Sequence, residues 1–172
     1  ELGSTGGYDA VQMRDVAASA GVALGTIYRY FASKDHLLAA AMVEWVKDLA
    51  RRVGQRPPRG ATAADRVMDV LSRATRAMER EPQLSEAVVT ALMSPDPGAA
   101  SCQEAVSGSM TRILATALGS DFDAELQADL TRALGHVWFS ALIGWVNGWS
   151  GIERVGDEVA LATHLILDQY DR

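Results

Sequence analysis

Three histidines and one cysteine are the side chains in this sequence whose chemistry best suits metal binding or nucleophilic catalysis. His36, His136 and His164 form neither an H-x-x-x-H nor an H-E-x-x-H spacing, the patterns that place two ring nitrogens on one helix face. Cys102 stands alone in a helical pattern, where a cysteine is usually a small buried side chain. Neither a G-x-S-x-G motif nor a phosphate-binding loop is present. We therefore expect no enzyme activity, no catalytic residue, no metal and no cofactor.

Residues 13–34 instead have the pattern of a helix-turn-helix, in which the second of two short helices enters a groove of DNA. Gly21 stands where the first helix must end and the chain must reverse, a place that favours positive φ and therefore glycine. Five apolar residues at helical spacing are expected to face one small core, namely Val16, Ala20, Val22, Ile27 and Tyr30. The segment predicts a DNA-binding head.

Residues within this segment and on both sides of it form a longer pattern. They are Gly7-Tyr8, Arg14-Asp15-Val16-Ala17, Ala20-Gly21-Val22, Gly25-Thr26-Ile27-Tyr28-Arg29-Tyr30-Phe31, Ser33-Lys34 and Leu37-Leu38. Together they resemble the helix-turn-helix of the TetR family of bacterial transcription regulators. Residues 10–17 and 25–31 are more narrowly similar to the sterol-catabolism repressors of actinobacteria, the KstR-like group. The resemblance implies a ligand-responsive repressor that binds double-stranded DNA, controls lipid or sterol catabolism and is released by a hydrophobic effector.

The resemblance also implies which residues contact DNA. These residues are Gln12, Arg14, Leu24, Gly25, Thr26, Tyr28, Tyr30 and Lys34. Gly25 would allow close backbone approach, Thr26 would reach a phosphate or a base edge, and Tyr28 would reach a phosphate or a thymine methyl. Lys34 would add attraction for a phosphate.

Several positions leave alternatives open. Gln12 stands where the family often has a Thr or Ser cap, and Ala23-Leu24 replace a frequent Ser-Lys pair, so Leu24 is a candidate for contact with a thymine methyl. Core packing is the alternative role for Tyr30 and Phe31. A solvated surface charge is the alternative for Arg29.

The net charge differs between two parts of the chain. The net charge is −6, and all of this excess lies in residues 53–172, because residues 1–52 carry equal numbers of basic and acidic residues. An acidic body would be repelled by phosphate and would orient a neutral head toward the duplex.

The composition and the short apolar runs predict a cytoplasmic protein without a membrane span. The resemblance implies a longer helix before Gly7, so we expect the first helix to be incomplete in this sequence.

Apolar periodicity beyond residue 33 is helical, and strict alternation is absent, which predicts an all-α protein. Ser33 is expected to cap a helix over residues 34–52 with one apolar face, formed by Leu37, Leu38, Ala41, Trp45 and Leu49. Further helices are expected near residues 63–81, 84–93, 99–118, 123–149 and 155–170. The Gly- and Pro-rich residues 54–60 predict a boundary between a head of residues 1–52, with its connecting helix, and a larger body of residues 53–172 that binds effector and dimerises.

A single head contacts few phosphates, so a homodimer on a palindromic operator is expected. Apolar residues at helical spacing on the last two helices are candidates for the dimer interface: Leu134, Ala141, Trp145, Val159, Ala162 and Ile166. The alternative is that these stripes fill the core of one chain.

A third set of mainly apolar residues marks the middle helices. It comprises Met68, Leu71, Thr75, Met78, Leu92, Met93, Gln103, Met110, Trp138, Phe139 and Leu142. Singly, each is most simply a core residue, and together they suit a large cavity. The resemblance implies a steroid or an acyl-coenzyme A thioester as effector. A regulator of a fatty acyl-coenzyme A or a drug, and a helical ligand-binding module without DNA activity, are the alternatives.

Overall fold

The computed structural model describes residues 2–170 and the side chains of residues 6–170, and over this range the chain is helical without a strand. The predicted all-α class is confirmed. The helices are α1 Leu2–Ala10, α2 Met13–Ser19, α3 Leu24–Tyr30, α4 Lys34–Gln55, α5 Ala63–Glu79, α6 Pro82–Leu92, α7 Pro97–Leu118, α8 Ala124–Val146 and α9 Ile152–Leu167, followed by a 3-10 turn at Asp168–Tyr170. None of these described helices is long and apolar enough to cross a membrane. Residues 1 and 171–172, at the outer ends of the two predicted domains, lie outside the described residues.

Helices α2 and α3 form the predicted helix-turn-helix. Gly21 has a φ of 68°, so the prediction of a left-handed residue in this turn is confirmed. The backbone N–H of Val22 donates to the Ala17 carbonyl at 3.0 Å and closes the turn. The short α3 therefore leaves the turn in a fixed direction.

The small core between α2 and α3 differs from the predicted one. Its buried residues are Met13, Ala17 and Ile27, and the half-buried residues packed against them are Val16, Leu24, Phe31 and Leu37. Ala20, Val22 and Tyr30 are exposed, so their predicted core positions are wrong. Because α3 begins at Leu24, its inward stripe is Leu24, Ile27 and Phe31, and Tyr30 lies to one side of that stripe.

The later helices confirm the periodic segments and correct their ends. Helix α4 ends at Gln55 and α5 begins at Ala63, so the Gly- and Pro-rich segment does separate two helices. Helix α8 ends at Val146, before the predicted Trp149, because Gly148 has a φ of 72° and the Asn147 side chain donates to the Ile143 carbonyl at 2.8 Å. On α4, Ala41 is exposed and Met42 is buried, which shifts the inner face by one residue.

The described residues form two compact units, each built from two stretches of chain. The first unit comprises Glu1–Trp45 and Met78–Val106, and in it α1 packs against α6. The second comprises Val46–Ala77 and Ser107–Arg172, and in it α8 packs against α9. A functional division at residue 52 stays a prediction.

Arg66 stabilises the second unit by capping the C-terminus of α7. Its guanidinium donates to the carbonyls of Ala117 at 2.8 Å and Leu118 at 2.9 Å, and to the Asp121 carboxylate at 2.6 Å. The carbonyls of the last helical turn have no partner within the helix, and a cation there also interacts favourably with the helix dipole. One side chain thus fixes the end of α7 to α5.

Thr163 of α9 is fully buried, and its hydroxyl has no hydrogen-bond partner among the described residues. Valine has the same shape without the unsatisfied group, so Thr163→Val is expected to raise the free energy of unfolding by about 1 kcal/mol, as measured by urea denaturation. Thr131 is the matched control, because it is equally buried and its hydroxyl donates to the Ala128 carbonyl at 3.0 Å. Thr131→Val should not stabilise, and a loss of stability in Thr163→Val would contradict the expectation.

Candidate nucleic-acid interface

A surface depression of about 560 Å³ lies where α2, α3 and α4 begin. The residues that line it are Val11, Gln12, Met13, Arg14, Asp15, Leu24, Tyr28 and Lys34. Five of the eight residues predicted to contact DNA therefore surround one depression, and the other three, Gly25, Thr26 and Tyr30, also lie on α3. Amide, guanidinium, phenol and ammonium groups in one place suit the oxygens of a nucleic-acid backbone.

The first turn of α3 is open to an approaching surface. A Cβ placed on Gly25 would meet no atom within 4 Å, and Tyr28, one turn further on, is 51% exposed. Thr26 is half-buried. Ala23 precedes the helix as its N-cap without a side-chain hydrogen bond. The backbone of this turn is therefore accessible, as direct reading of a groove requires.

Tyr30 lies on the surface with Arg29. Tyr30 is 63% exposed, and the Arg29 guanidinium carbon is 5.1 Å from the centre of its ring. The core-packing alternative is therefore wrong for Tyr30, whereas Phe31 is half-buried against the core and fits it. Arg29 is exposed as well, so a solvated surface charge stays an alternative for it.

Gln12 precedes α2 at the N-cap position, but its side chain does not cap the helix. The Gln12 amide instead donates to the Asp9 carbonyl at 3.2 Å. This departure from a Thr or Ser cap leaves the first N–H groups of α2 without that side-chain acceptor and places an amide at the depression.

Lys34 is held by Tyr8 at the edge of the same depression. The Lys34 ammonium is 3.7 Å from the centre of the Tyr8 ring and donates to the Tyr8 carbonyl at 3.1 Å. Tyr8 follows Gly7, which has a φ of 65° and interrupts the regular geometry of α1. Helix α1 thus supports a residue at the start of α4.

The Tyr8 hydroxyl is itself fixed by the first turn of α4. It donates to one oxygen of the Asp35 carboxylate, and the other oxygen accepts from the Ser94 hydroxyl at 2.6 Å. Ser33 caps this turn, because its hydroxyl accepts from the His36 N–H at 2.9 Å, which confirms the predicted cap. Three segments of the first unit therefore meet at Asp35.

The Asp35 carboxylate raises the pKa of Tyr8 to about 12, first through the hydrogen bond and then through burial and the charges of Asp35 and Asp9. A raised folded-state pKa means that this bond stabilises the fold fully below pH 10 and that the contribution is lost as the pH rises from about 10 through 12. The ultraviolet absorbance of tyrosinate should show one tyrosine titrating near 12, absent in Tyr8→Phe and shifted toward 10 in Asp35→Asn. An unchanged step in Asp35→Asn would contradict this cause.

Sequence reasoning missed the roles of Tyr8, Asp35 and Ser94. Tyr8 stood in a recognised Gly-Tyr pair, but it contacts Lys34 across 26 positions of sequence. Asp35 lies beside Lys34, and an acidic residue at that position could have indicated a nearby ion pair or hydrogen bond. Nothing in the pattern around Ser94 indicated its bond to α4.

The histidines and the cysteine lie in separate surroundings. The His36 ring packs edge-on against Phe31, His136 is exposed, and His164 lies 3.0 Å from Asp168 at the surface. Burial, with the nearby Asp96 charge, raises the pKa of the Cys102 thiol and disfavours the thiolate. Among the described residues, no three or more His, Cys, Asp or Glu are grouped to hold a metal ion.

The residues predicted to bind effector are divided between the two units. Met68, Leu71, Thr75, Met110, Trp138, Phe139 and Leu142 belong to the second unit, and Met78, Leu92, Met93 and Gln103 belong to the first. In the second unit, the buried indole N–H of Trp138 donates to the Thr75 hydroxyl at 3.4 Å. The effector assignment stays a prediction.

Half of the residues predicted to form the dimer interface are buried in the core of the second unit. Leu134, Ala141 and Val159 are buried there, so they cannot face a partner in this arrangement, and their assignment is corrected. Trp145, Ala162 and Ile166 are half-buried. Three apolar side chains on α9 or just after α8 are largely exposed, namely Trp149 at 76%, Leu161 at 64% and Leu165 at 72%.

Comparisons with known proteins agree along nearly the whole chain. Residues 1–41 match the family described as bacterial regulatory proteins, tetR family, and residues 60–166 match the tetracyclin repressor-like C-terminal domain. The HTH-type transcriptional repressor KstR of Rhodococcus jostii strain RHA1 is 40% identical over 99% of this chain and 80% of its own length.

Solved structures confirm the fold. A TetR transcriptional regulator from Rhodococcus sp. RHA1 superposes with a TM-score of 0.84 and 31% identity, over 96% of this chain and 89% of that one. Thermus thermophilus FadR, a TetR family repressor solved in complex with lauroyl-CoA, has a TM-score of 0.65 and 20% identity, over 91% and 82% of the two chains. The chain belongs to the tetR family of bacterial regulatory proteins, and it is a DNA-binding transcriptional repressor.

Proposed function

We propose that this repressor binds a palindromic operator as a homodimer in the bacterial cytoplasm and controls sterol or lipid catabolism. A steroid or an acyl-coenzyme A thioester is the effector that releases it from DNA. The observation that carries the proposal is the 40% identity to KstR along 99% of the chain, because likeness of that extent includes both the head and the body. The exposed residues around the start of α3 supply the surface that meets the duplex.

The depression at the starts of α2, α3 and α4 is proposed to receive the nucleic-acid backbone. Arg14 and Lys34 supply positive charge there, and Tyr28 supplies a hydroxyl and an apolar ring. Leu24 is half-buried against the core and lines the same depression, so its exposed edge is available to a thymine methyl. Phosphate contacts would position the head, and α3 would read the bases.

The dimer is proposed to form through α9. Leu161 and Leu165 are one helical turn apart and both are largely exposed, so they present a continuous apolar strip. Two copies of the strip related by a twofold axis would cover each other, as isologous interfaces do. Trp145, Ala162 and Ile166 are half-buried and are proposed to border this interface.

The effector is proposed to bind beside Trp138 and Thr75 in the second unit. Both are buried and joined by a hydrogen bond, and the buried Leu71 and Leu142 lie four residues from Thr75 and Trp138 on the same helices. A few polar groups in an apolar site orient a hydrophobic ligand. In FadR the same fold was solved with lauroyl-CoA, so an acyl thioester is a ligand that this fold accommodates in that protein.

DNA is released if the effector binds more tightly to a dimer whose two heads are held at a distance that does not match the DNA. Half-sites in successive major grooves are separated by about 34 Å, and a dimer held at another spacing fits them poorly. A ligand shifts such an equilibrium by its difference in affinity for the two states. Saturating effector should therefore lower the affinity for the operator without competing for the DNA surface.

The experiment is a titration of tryptophan fluorescence with a steroid acyl-coenzyme A, a straight-chain acyl-coenzyme A and free coenzyme A, paired with binding of a duplex selected from random sequences. Saturable quenching and DNA release by the steroid thioester alone are expected. Trp138→Phe should lose the quenching, and Trp149→Phe, which alters an exposed tryptophan, should retain it. A response to the straight-chain thioester alone would support a fatty acyl effector, and no response to any of the three would contradict the effector class.

A further inference from the structure

We propose that Tyr8 is a positioning residue for DNA binding, which holds the Lys34 ammonium at the edge of the depression where a backbone phosphate binds. The inference rests on the proposed phosphate contact of Lys34. It adds a residue of α1, outside the helix-turn-helix, to the machinery of DNA recognition.

The contact between the two residues restrains the lysine from two directions. The ammonium is 3.7 Å from the centre of the Tyr8 ring and 3.1 Å from the Tyr8 carbonyl oxygen. A lysine has a long side chain with many rotamers, and ordering it on binding a partner costs free energy. A lysine that is already ordered in the free protein has less of that cost to meet when phosphate arrives.

Tyr8 can act in this way because its own ring is fixed. The hydroxyl donates to Asp35, and Asp35 accepts a second hydrogen bond from Ser94 at 2.6 Å. Helix α1 also packs against α6 in the same unit. The ring is therefore held at both its backbone and its hydroxyl end.

The chemistry of the contact leaves the charge of Lys34 available. An aromatic ring attracts a cation through its quadrupole, and a carbonyl attracts it through its dipole, and neither carries net charge. A carboxylate at the same place would neutralise the ammonium and repel phosphate. The carboxylate of Asp35 instead accepts bonds from the hydroxyls of Tyr8 and Ser94.

A double-mutant cycle tests the proposal in the full chain. Binding of a fluorescein-labelled duplex of roughly 30 base pairs, three helical turns, selected by the protein from random sequences, is measured at several salt concentrations. Lys34→Gln should reduce the slope of log affinity against log salt by about 0.9 for each head bound. Arg132→Gln, which removes an exposed charge on α8, is the control and should leave the slope unchanged.

Tyr8→Leu should weaken binding by about two- to fivefold for each head in the parent protein and have no further effect in the Lys34→Gln background. Tyr8→Phe keeps the ring but loses its hydrogen bond to Asp35, so its affinity for the duplex should lie between those of Tyr8→Leu and the parent protein. A Tyr8→Leu effect of equal size in both backgrounds would show a structural role and overturn the proposal. An unchanged salt slope in Lys34→Gln would overturn it as well, while binding of the duplex by the parent protein would still support the repressor function.

A second pair of variants keeps the test valid if Tyr8→Leu fails to fold. Phenylalanine and pentafluorophenylalanine at position 8 have nearly the same shape, but fluorination reverses the electrostatic character of the ring face. The fluorinated protein should bind the duplex more weakly than the phenylalanine protein, and only when Lys34 is present. Equal affinities would overturn the proposal.

Discussion

A Gly25→Asp variant is expected to lose about a hundredfold or more of its affinity for duplex DNA while it folds as well as the parent protein. Outside its own helical turn, a Cβ at this position meets no atom of the described residues within 4 Å, so there is room for a side chain. Gly25 is the second residue of α3, where an acidic side chain interacts favourably with the helix dipole and replaces a glycine of low helix propensity. The new carboxylate would nevertheless face the phosphates that the head must approach, and juxtaposed like charges cost several kcal/mol.

Fluorescence anisotropy of the selected duplex and thermal unfolding of the same samples measure the two effects separately. Gly108→Asp is the matched control, because it makes the same change of charge on α7, where the nearest atom to a Cβ is on the Arg112 guanidinium at 3.9 Å. The control should bind DNA like the parent protein. DNA binding by Gly25→Asp at the parent affinity would show that α3 does not face the duplex.

Arg66→Ala is expected to lower the free energy of unfolding by about 2 to 3 kcal/mol. The Arg66 side chain is only 21% exposed, and its removal leaves the carbonyls of Ala117 and Leu118 without that donor. Asp121 is 58% exposed, so most of the loss should come from the carbonyls and little from the ion pair.

Arg132→Ala provides the comparison for Arg66→Ala. Arg132 lies 2.6 Å from Asp129, the same distance as Arg66 from Asp121, but it is 65% exposed. Its removal should change the stability by less than about 0.5 kcal/mol. Both variants are compared by urea denaturation at one protein concentration, because the proposed dimer would make stability depend on concentration. Equal losses would show that the helix cap at α7 contributes nothing beyond a surface ion pair.

The long helices were predictable because their apolar residues repeat at the helical period over many turns. The ends were less predictable, since they depend on single residues. The periodic pattern of α8 continues to Trp149, but the left-handed Gly148 and the Asn147 side chain end the helix at Val146. Such a helix end depends on side-chain and backbone hydrogen bonds that compete with the helix locally, and the spacing of apolar residues does not indicate them.

The recognition segment was predictable because its turn needs glycine and its second helix is short. The exposure of Tyr30 was not predictable in the same way, because its spacing of three residues from the buried Ile27 is also compatible with a core position. The support of Lys34 by Tyr8 and of Asp35 by Ser94 joins residues that are 26 and 59 positions apart. Contacts across such separations arise from packing, and no local pattern encodes them.

The apolar stripes on α8 and α9 illustrate a further limit. Leu134 and Val159 have the spacing of an interface and are buried in their own unit, while Leu161 and Leu165 lie on the opposite side of α9 and are exposed. Periodicity identifies an apolar face, but it does not tell whether the same chain or a second copy covers it. A helix with apolar residues on two sides, such as α9, is suited to pack against its own chain with one side and against a second copy with the other.

The unit that carries the helix-turn-helix is completed by Met78–Val106, a stretch that is separated from the first by Val46–Ala77 of the other unit. An engineer who builds a hybrid regulator by joining residues 1–52 to a different body would leave α1 without the α6 surface on which it packs. The Asp35 carboxylate would also lose its Ser94 partner. A functional chimera therefore needs the transfer of both stretches, with three junctions near residues 45, 77 and 106, so the unit that carries the DNA-binding head is encoded by two separate parts of the gene.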